Sequence, residues 1–579
     1  EELESARERF ESGDVSGAKS DYAAALDVAR KNNLDSFRAS ALLGLADTAR
    51  AENDLPSALM RYAEAAEAID DTRARIPSIE ERSMYVAATH AIYEHWLDAL
   101  LAARQTSQAF RVLERERSRN VLDALVSQTI ERRPAVFALN RRISSLQVEL
   151  TAPSLPPQRR ASLLAELDDA ERRLDFQQTA QGQRAPVRRD LASLQRTLAD
   201  DEAWIEFTTR PNSVIAFVVT RDRISVMQRA ATSLASRIEF FNDLLDSDHS
   251  SDAIRPAVAL SNDLLAPVLR PLPPSIHRLI IGVAGDLAAV PFDALTDPQK
   301  PSRPIVERYE IAYAPSLATL AELRERHPPS PRYDLLGVAP LAGGTLAAVG
   351  FPAYRSAALA PLPWSGREVD DVAKLVHGRV ERLVGKAATE EAFRRINLRD
   401  YKVIHLATHA VLDPEYPSRS GIVFSRGSKI DDGWLQMREI YQLDLDGQLV
   451  VLSACQTAFG TTSSAEGMHS LARAFTYAGA NAVVGTLWKV EDRSASKIVR
   501  SMYAGIKRGE PVSAALRDAQ LAAAAADPYR NAREWAGWVA TGDPAVRPAL
   551  AGTIPISPWL ATIVIAAAFL WGVAALRRA

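Results

Sequence analysis

The chain has 579 residues, more than one hydrophobic core usually organises, so two or more domains are expected. A hydrophobic content of 47%, a charged content of 24% and a formal net charge of −3 describe a folded protein without a global basic footprint, which argues against nucleic acid as the principal ligand. The single cysteine excludes an intrachain disulfide and any multi-cysteine zinc or iron–sulfur site, and no HExxH-type histidine spacing replaces it; no metal or organic cofactor is implied.

The first residue is Glu1 rather than Met, which reads as a processed or trimmed amino end. Asp14, Ala18, Tyr22 and Ala25 recur 40 residues later as Asp54, Ala58, Tyr62 and Ala65. Small residues let paired helices approach and a tyrosine fills the gap between units, the packing of tetratricopeptide-type repeats. Because 40 exceeds the usual repeat of about 34, an extended connection between units is expected. A degenerate third unit carries Ala109 in the alanine position, and a helix from Gln108 to Val126 leads out of the array. Two further helical patterns, Pro134 to Thr151 and Gln158 to Phe176, are separated by a Pro-rich turn and predict a helical hairpin.

From Ala203 the period changes to that of strands. Trp204 to Thr209, Ser213 to Thr220 and Asp222 to Gln228 open the region. Short apolar strands then alternate with helices, at Leu279 to Val283, Ile311 to Ala314, Tyr333 to Val338, Lys402 to Leu406, Gln448 to Ser453 and Ala482 to Leu487. Such alternation predicts a mostly parallel sheet covered on both faces. The Gly-, Pro- and Ala-rich stretch from Pro340 to Pro363 reads as a loop.

Two of these strands end on reactive side chains. The run Leu449-Val450-Val451-Leu452-Ser453-Ala454 leads to Cys455, and Lys402 to Thr408 leads to His409. A thiol and an imidazole at strand ends are the parts of a cysteine nucleophile with its acid/base partner. His405 is inside its strand, where packing or a backbone hydrogen bond is the expectation. After Cys455, a polar loop from Gln456 to Ala465 precedes a helix expected to begin at Glu466 and Gly467.

At the carboxyl end, Trp559 to Leu576 holds 18 residues without a charge and is followed by Arg577 and Arg578. At 1.5 Å per residue it reaches about 27 Å, so a single transmembrane helix over 559–576 is expected after a linker over 548–558. The arginines favour a cytoplasmic tail, but a tail anchor has the same pattern, and the side of the membrane stays open.

The stretches Ile404 to Ala410 (IHLATHA), Leu449 to Gly460 (LVVLSACQTAFG) and Glu466 to Asp492 resemble the CHAT domain, a caspase- and separase-related cysteine peptidase module usually preceded by tetratricopeptide repeats. The resemblance implies Cys455 as nucleophile and His409 as acid/base, with the oxyanion held by the backbone N–H groups of Cys455 and Ala410. Caspases have glycine where Ala410 stands, a departure that a backbone donor tolerates. They carry glutamine where Ser453 stands, so Asp-directed cleavage is not expected. By the same resemblance Ser453, Trp488, Glu491 and Asp492 are candidate substrate-pocket residues, with the carboxylates suited to a basic side chain. A bacterial host and a signalling or defence setting are also implied.

The expected architecture is therefore tetratricopeptide-like repeats over 1–130, a helical hairpin and linker over 131–195, and a caspase-like α/β peptidase domain over 196–547. A linker and transmembrane helix follow. The expected function is that of a membrane-anchored cysteine endopeptidase acting on a protein substrate, with a protein regulator bound by the repeats and no nucleic acid. The alternative is a non-catalytic membrane-associated scaffold that uses the repeats and the caspase-like domain for protein–protein interaction.

Overall fold

The structure is a computed structural model that describes residues 2–550, apart from 77–78, 118–121, 123–124, 126–133, 151–154, 180–188, 248–249, 327–330, 342–343, 346–357, 360, 414–416, 428–431, 455–460, 464–466, 470 and 525–527. It opens with seven helices: α1 (Glu2–Glu11), α2 (Val15–Lys31), α3 (Asp35–Ala51), α4 (Leu55–Arg75), α5 (Ile79–Ala88), α6 (His90–Ala102) and α7 (Thr106–Glu116). The recurring aspartates are N-caps. Asp14 accepts from the Gly17 N–H and Asp54 from the Ser57 N–H, satisfying amides that a helix start leaves without partners. Ala18, Ala58 and Ala109 are fully buried. The Tyr22 ring lies against Gly44, where a Cβ would approach to 2.3 Å, and the Tyr62 hydroxyl donates to Asp47 at 2.5 Å.

The longer repeat has a different origin from the one expected. Residues 32–34 and 52–54 form equally tight turns, each with an asparagine (Asn33, Asn53) at positive φ. The extra residues lengthen the helices, not the connection. The exit helix also stops at Glu116, where Arg117 turns extended at φ −73° and ψ 139°.

Helices α8 (Pro134–Leu150) and α9 (Pro157–Thr179) form the hairpin, joined by a core of Ile143, Leu146, Leu150, Leu163, Leu167 and Leu174. Beyond it, one large sheet is built from β1 (Glu202–Arg210), β2 (Ser213–Val219), β3 (Ile224–Ala230), β4 (Arg278–Gly282), β5 (Glu310–Tyr313), β6 (Tyr333–Pro340), β7 (Val380–Gly385), β8 (Tyr401–Ala407), β9 (Leu449–Ser453), β10 (Ala482–Thr486) and β11 (Trp538–Gly542). Their order is β7-β6-β8-β9-β10-β11-β5-β4-β1-β2-β3. Neighbours are parallel except at β1–β2, β2–β3 and β10–β11, so the mostly parallel sheet expected from sequence is present. The β10–β11 pair reverses direction and joins two parallel halves into one sheet. Neither β7 nor β11 was among the strands legible in the sequence. β7 is a partly exposed edge strand whose residues are mixed in character, and β11 is a five-residue strand close behind the short helix Ala532–Trp535.

Strand alternation divides the core. Val403, Val451 and Val484 face helices Asp492–Lys507 and Val512–Ala524, whereas Ile404, Leu406, Val450 and Leu452 face Phe393, Ile440 and Phe475. The repeats pack on the first half of the sheet through Phe110, whose ring centroid lies 5.7 Å from that of Phe217. Gly467–His469 is a strand paired with Thr461–Ser463, and the following helix begins at Leu471, later than expected.

The expectation of a single-pass membrane protein is corrected. Residues 559–576 lie outside the described residues, and no helix among the described residues is long and apolar enough to cross a membrane. Even the 23-residue α9 fails the requirement, because charged residues interrupt it throughout where about 20 consecutive apolar residues are needed. The fold is a helical array and hairpin followed by an α/β domain, and the membrane location is withdrawn with the transmembrane helix.

Candidate active site

Strands β8 and β9 are adjacent and parallel, and their last paired residues are Ala407 and Ser453. The Thr408 N–H donates to the Ser453 carbonyl at 3.3 Å, so the two chains are still side by side as they leave the sheet. His409 stands two residues beyond Ala407, and Cys455 two residues beyond Ser453. Cys455 is outside the described residues. Immediately before it, the Ala454 carbonyl accepts the Thr486 hydroxyl at 2.9 Å, which ties this strand exit to β10.

His409 is buried, and its backbone is anchored to a small antiparallel sheet of Ala410–Val411, Gly421–Val423 and Trp434–Gln436. The Val423 N–H donates to the His409 carbonyl at 2.9 Å, and the Thr408 hydroxyl donates to the Val423 carbonyl at 2.6 Å. Hydrogen-bonded and non-bonded pairs alternate along an antiparallel ladder. With residues 409 and 423 bonded, the Ala410–Ile422 pair is the non-bonded kind, and the Ala410 N–H is directed away from the 421–423 strand.

His405 has a different environment. Its side chain is fully buried, with Nε2 2.9 Å from a Glu368 carboxylate oxygen and Nδ1 3.4 Å from the Tyr503 hydroxyl. The carboxylate accepts from Nε2, and Nδ1 faces the phenol oxygen. Burial, and then the charge of Glu368, push the Tyr503 phenol well above its ordinary range. These contacts bind β8 to helices Ser365–Val376 and Asp492–Lys507 through side chains, where the sequence suggested packing or backbone bonding.

The pocket candidates are spread across the same edge. Ser453 ends β9 and is half-buried. Trp488 is 6% exposed, with its indole N–H donating to the Arg533 carbonyl at 2.9 Å and its ring filling the space that a Cβ on Gly537 would need. β10 ends at Thr486, so Trp488, Glu491 and Asp492 lie on the exit loop and at the start of the next helix. Glu491 is exposed. Asp492 accepts the Trp364 N–H at 2.8 Å, and its carboxyl is pushed up chiefly by burial, then by Glu368 and Glu491, against the bond from Trp364. Trp364 in turn carries the guanidinium groups of Arg367 and Arg493 over its ring, at 5.1 and 5.7 Å.

The partners Glu368, Tyr503 and Trp364 were not singled out in the sequence. Glu368 occupies the buried face of an amphipathic helix, a signal that predicted an apolar residue. Among the described residues no group of three or more His, Cys, Asp or Glu is placed to hold a metal ion.

Comparison with known proteins supplies the family. The model of the CHAT domain matches residues 255–543. Tetratricopeptide repeat protein 28 of Homo sapiens is 27% identical over 399 residues, covering 59% of this chain, and its Mus musculus counterpart is 27% identical over 333 residues, covering 50%. The chain spans only 16% and 13% of those relatives' lengths. Both are mammalian, and the expected bacterial setting is not carried further. Among solved structures, the Saccharomyces cerevisiae separase–securin complex aligns with a TM-score of 0.41 at 11% identity, over 85% of this chain and 38% of that one. The Arg-specific cysteine proteinase gingipain R aligns at 0.33 and 10% identity, over 54% of this chain and 75% of that one. On the domain match, the repeat-protein relatives and its own helical array, the chain belongs to the CHAT-domain family with N-terminal tetratricopeptide-like repeats.

Proposed function

We propose that this chain is a cysteine endopeptidase in which Cys455 is the nucleophile and His409 its acid/base partner. The observation that carries this is the parallel pairing of β8 and β9 through Ala407 and Ser453, because the two residues follow that pair at equal distance along adjacent strands. A free thiol is only a few per cent ionised at neutral pH, so a neighbouring imidazole is what raises its reactivity.

In the proposed reaction the Cys455 sulfur attacks a peptide carbonyl, forming a C–S bond. The tetrahedral oxyanion accepts hydrogen bonds from the Ala410 and Cys455 N–H groups. His409 delivers the thiol proton to the departing amine as the C–N bond breaks, then takes a proton from water, whose oxygen displaces the sulfur and releases the acid. Each oxyanion donor is worth about 3 kcal/mol of transition-state stabilisation. Ser453, Trp488, Glu491 and Asp492 are proposed to border the substrate site, and the two carboxylates favour a basic side chain. We assign residues 1–130 and 131–195 to a regulatory arm that binds a protein partner, and 196–547 to the peptidase domain.

The test uses the single cysteine. Intact protein is treated with iodoacetamide and adducts are counted by mass, comparing wild type with His409→Ala and with denatured chain. Rapid native labelling that slows in the histidine variant at neutral pH supports the dyad. A native thiol that reacts no faster than the denatured one overturns it and favours the scaffold alternative.

A further inference from the structure

The hairpin is joined to the small sheet beside the candidate site; Asn140 donates to the Gln442 side-chain oxygen at 2.6 Å, and one carboxylate bridges two arginines that flank the sheet. Glu171 on α9 accepts from the Arg419 guanidinium through one oxygen at 2.9 Å and from the Arg438 guanidinium through the other at 2.9 Å. Both arginines are largely buried, at 11% and 8% side-chain exposure. They flank the small sheet at two points. Arg419 precedes strand Gly421–Val423, and Arg438 follows strand Trp434–Gln436. The two flanks also meet each other, since the Met437 N–H donates to the Ser420 carbonyl at 2.6 Å.

The apolar half of the junction leads to the same place. Trp434 is buried in the hairpin core and Val411 packs at its margin. The Trp434 indole lies across Gly421, which is opposite Val411 in the ladder. Val411 follows Ala410, whose N–H the ladder turns away from the 421–423 strand. A short two-residue strand has little rigidity of its own, so the direction of that N–H depends on what holds the sheet around it.

We propose that Glu171 is a positioning residue for the peptidase site: by holding Arg419 and Arg438 together it sets the small sheet, and thereby the Ala410 N–H, in the geometry that stabilises an oxyanion. The proposal rests on the peptidase assignment above and adds a role for the hairpin in the chemistry. Charge-assisted pairs of this kind are short and directional, and replacing the carboxylate by an amide leaves two buried guanidinium groups facing one neutral acceptor.

Two probes separate positioning from general damage. Acylation of Cys455 by p-nitrophenyl acetate forms a C–S bond, expels p-nitrophenolate and passes through a tetrahedral oxyanion. Alkylation by iodoacetamide is displacement at a saturated carbon and develops no such oxyanion. In the full-length chain, with Cys455→Ala as the blank, Glu171→Gln is expected to slow acylation about tenfold or more while alkylation stays within about twofold, since loss of a whole oxyanion donor costs on the order of 10²–10³. Hydrogen exchange over residues 410–411 and 421–423 is expected to quicken in the same variant. Equal slowing of both probes, or no change in either, overturns the proposal. If wild-type Cys455 reacts with neither probe, the peptidase assignment itself fails and the positioning role falls with it, an outcome distinct from a reactive Cys455 whose Glu171→Gln variant keeps both rates.

Discussion

Arg117, at the end of the repeat array, reaches to within 3.6 Å of the Glu206 carboxylate on β1, with both side chains sealed from solvent. The gap is too long for a hydrogen bond, and the guanidinium donates instead to the Phe207 carbonyl at 2.8 Å. Burial pushes the Glu206 carboxyl up; Arg117 opposes the shift and nearby Glu114 adds to it. A carboxyl whose folded-state pKa is raised contributes stability below the ordinary carboxylate range and loses it as pH rises through the raised value. Stability should therefore fall between about pH 5 and about pH 8, and Glu206→Gln should flatten that decline in denaturant midpoints. Arg117→Ala should cost about 1–3 kcal/mol, because it leaves the buried Phe207 carbonyl without its donor.

Glu114 provides the second tie between repeats and sheet. Its two carboxylate oxygens accept the Leu317 and Ala318 N–H groups at 3.0 and 2.9 Å, capping helix Leu317–Glu325 from another part of the chain. Glu114→Ala should destabilise by about 1–2 kcal/mol, the upper end for a lost cap. Hydrogen exchange should quicken in 317–325 before it does in α2–α4; uniform acceleration would show that the tie is not local.

The two histidines of β8 and its exit should separate cleanly. His405→Ala leaves Glu368 buried without its partner and should lower stability by about 1–3 kcal/mol, seen as a lower melting temperature. His409→Ala should instead lower Cys455 reactivity with a smaller effect on melting. Exchange of these two outcomes would reverse the roles assigned to them.

Gly421 is needed for space, not for an unusual backbone. A Cβ there would stand 2.0 Å from the Trp434 Nε1 and 2.7 Å from the Leu435 carbonyl oxygen. Gly421→Ala should displace Trp434 from the hairpin core, costing about 1–3 kcal/mol as overpacking does. Tryptophan fluorescence should shift toward that of an exposed indole.

Much of the fold is legible because it depends on local order. The caps Asp14 and Asp54, the small Ala18 and Ala58 and the gap-filling Tyr22 and Tyr62 announce repeats through short-range spacing. Apolar runs announce the interior strands, and Cys455 and His409 stand out because each ends such a run. β7 escaped notice because an exposed edge strand needs no continuous apolar run, and the excess repeat length was misplaced because spacing does not say whether helix or turn has grown. The uncharged stretch 559–576 predicted a span by hydropathy alone.

Local periodicity thus determined the helical array and the alternation of strands with helices, and it marked Cys455 and His409 as the residues that follow two apolar runs. Only the tertiary structure decided that β8 lies against β9 and that β10 and β11 join the halves of the sheet. It alone paired His405 with Glu368 and Tyr503, 37 and 98 residues away, and Glu171 with Arg419 and Arg438, 248 and 267 residues away. Periodicity reports which face of an element is apolar, whereas polar contacts over such separations arise from which elements the burial of those faces brings together.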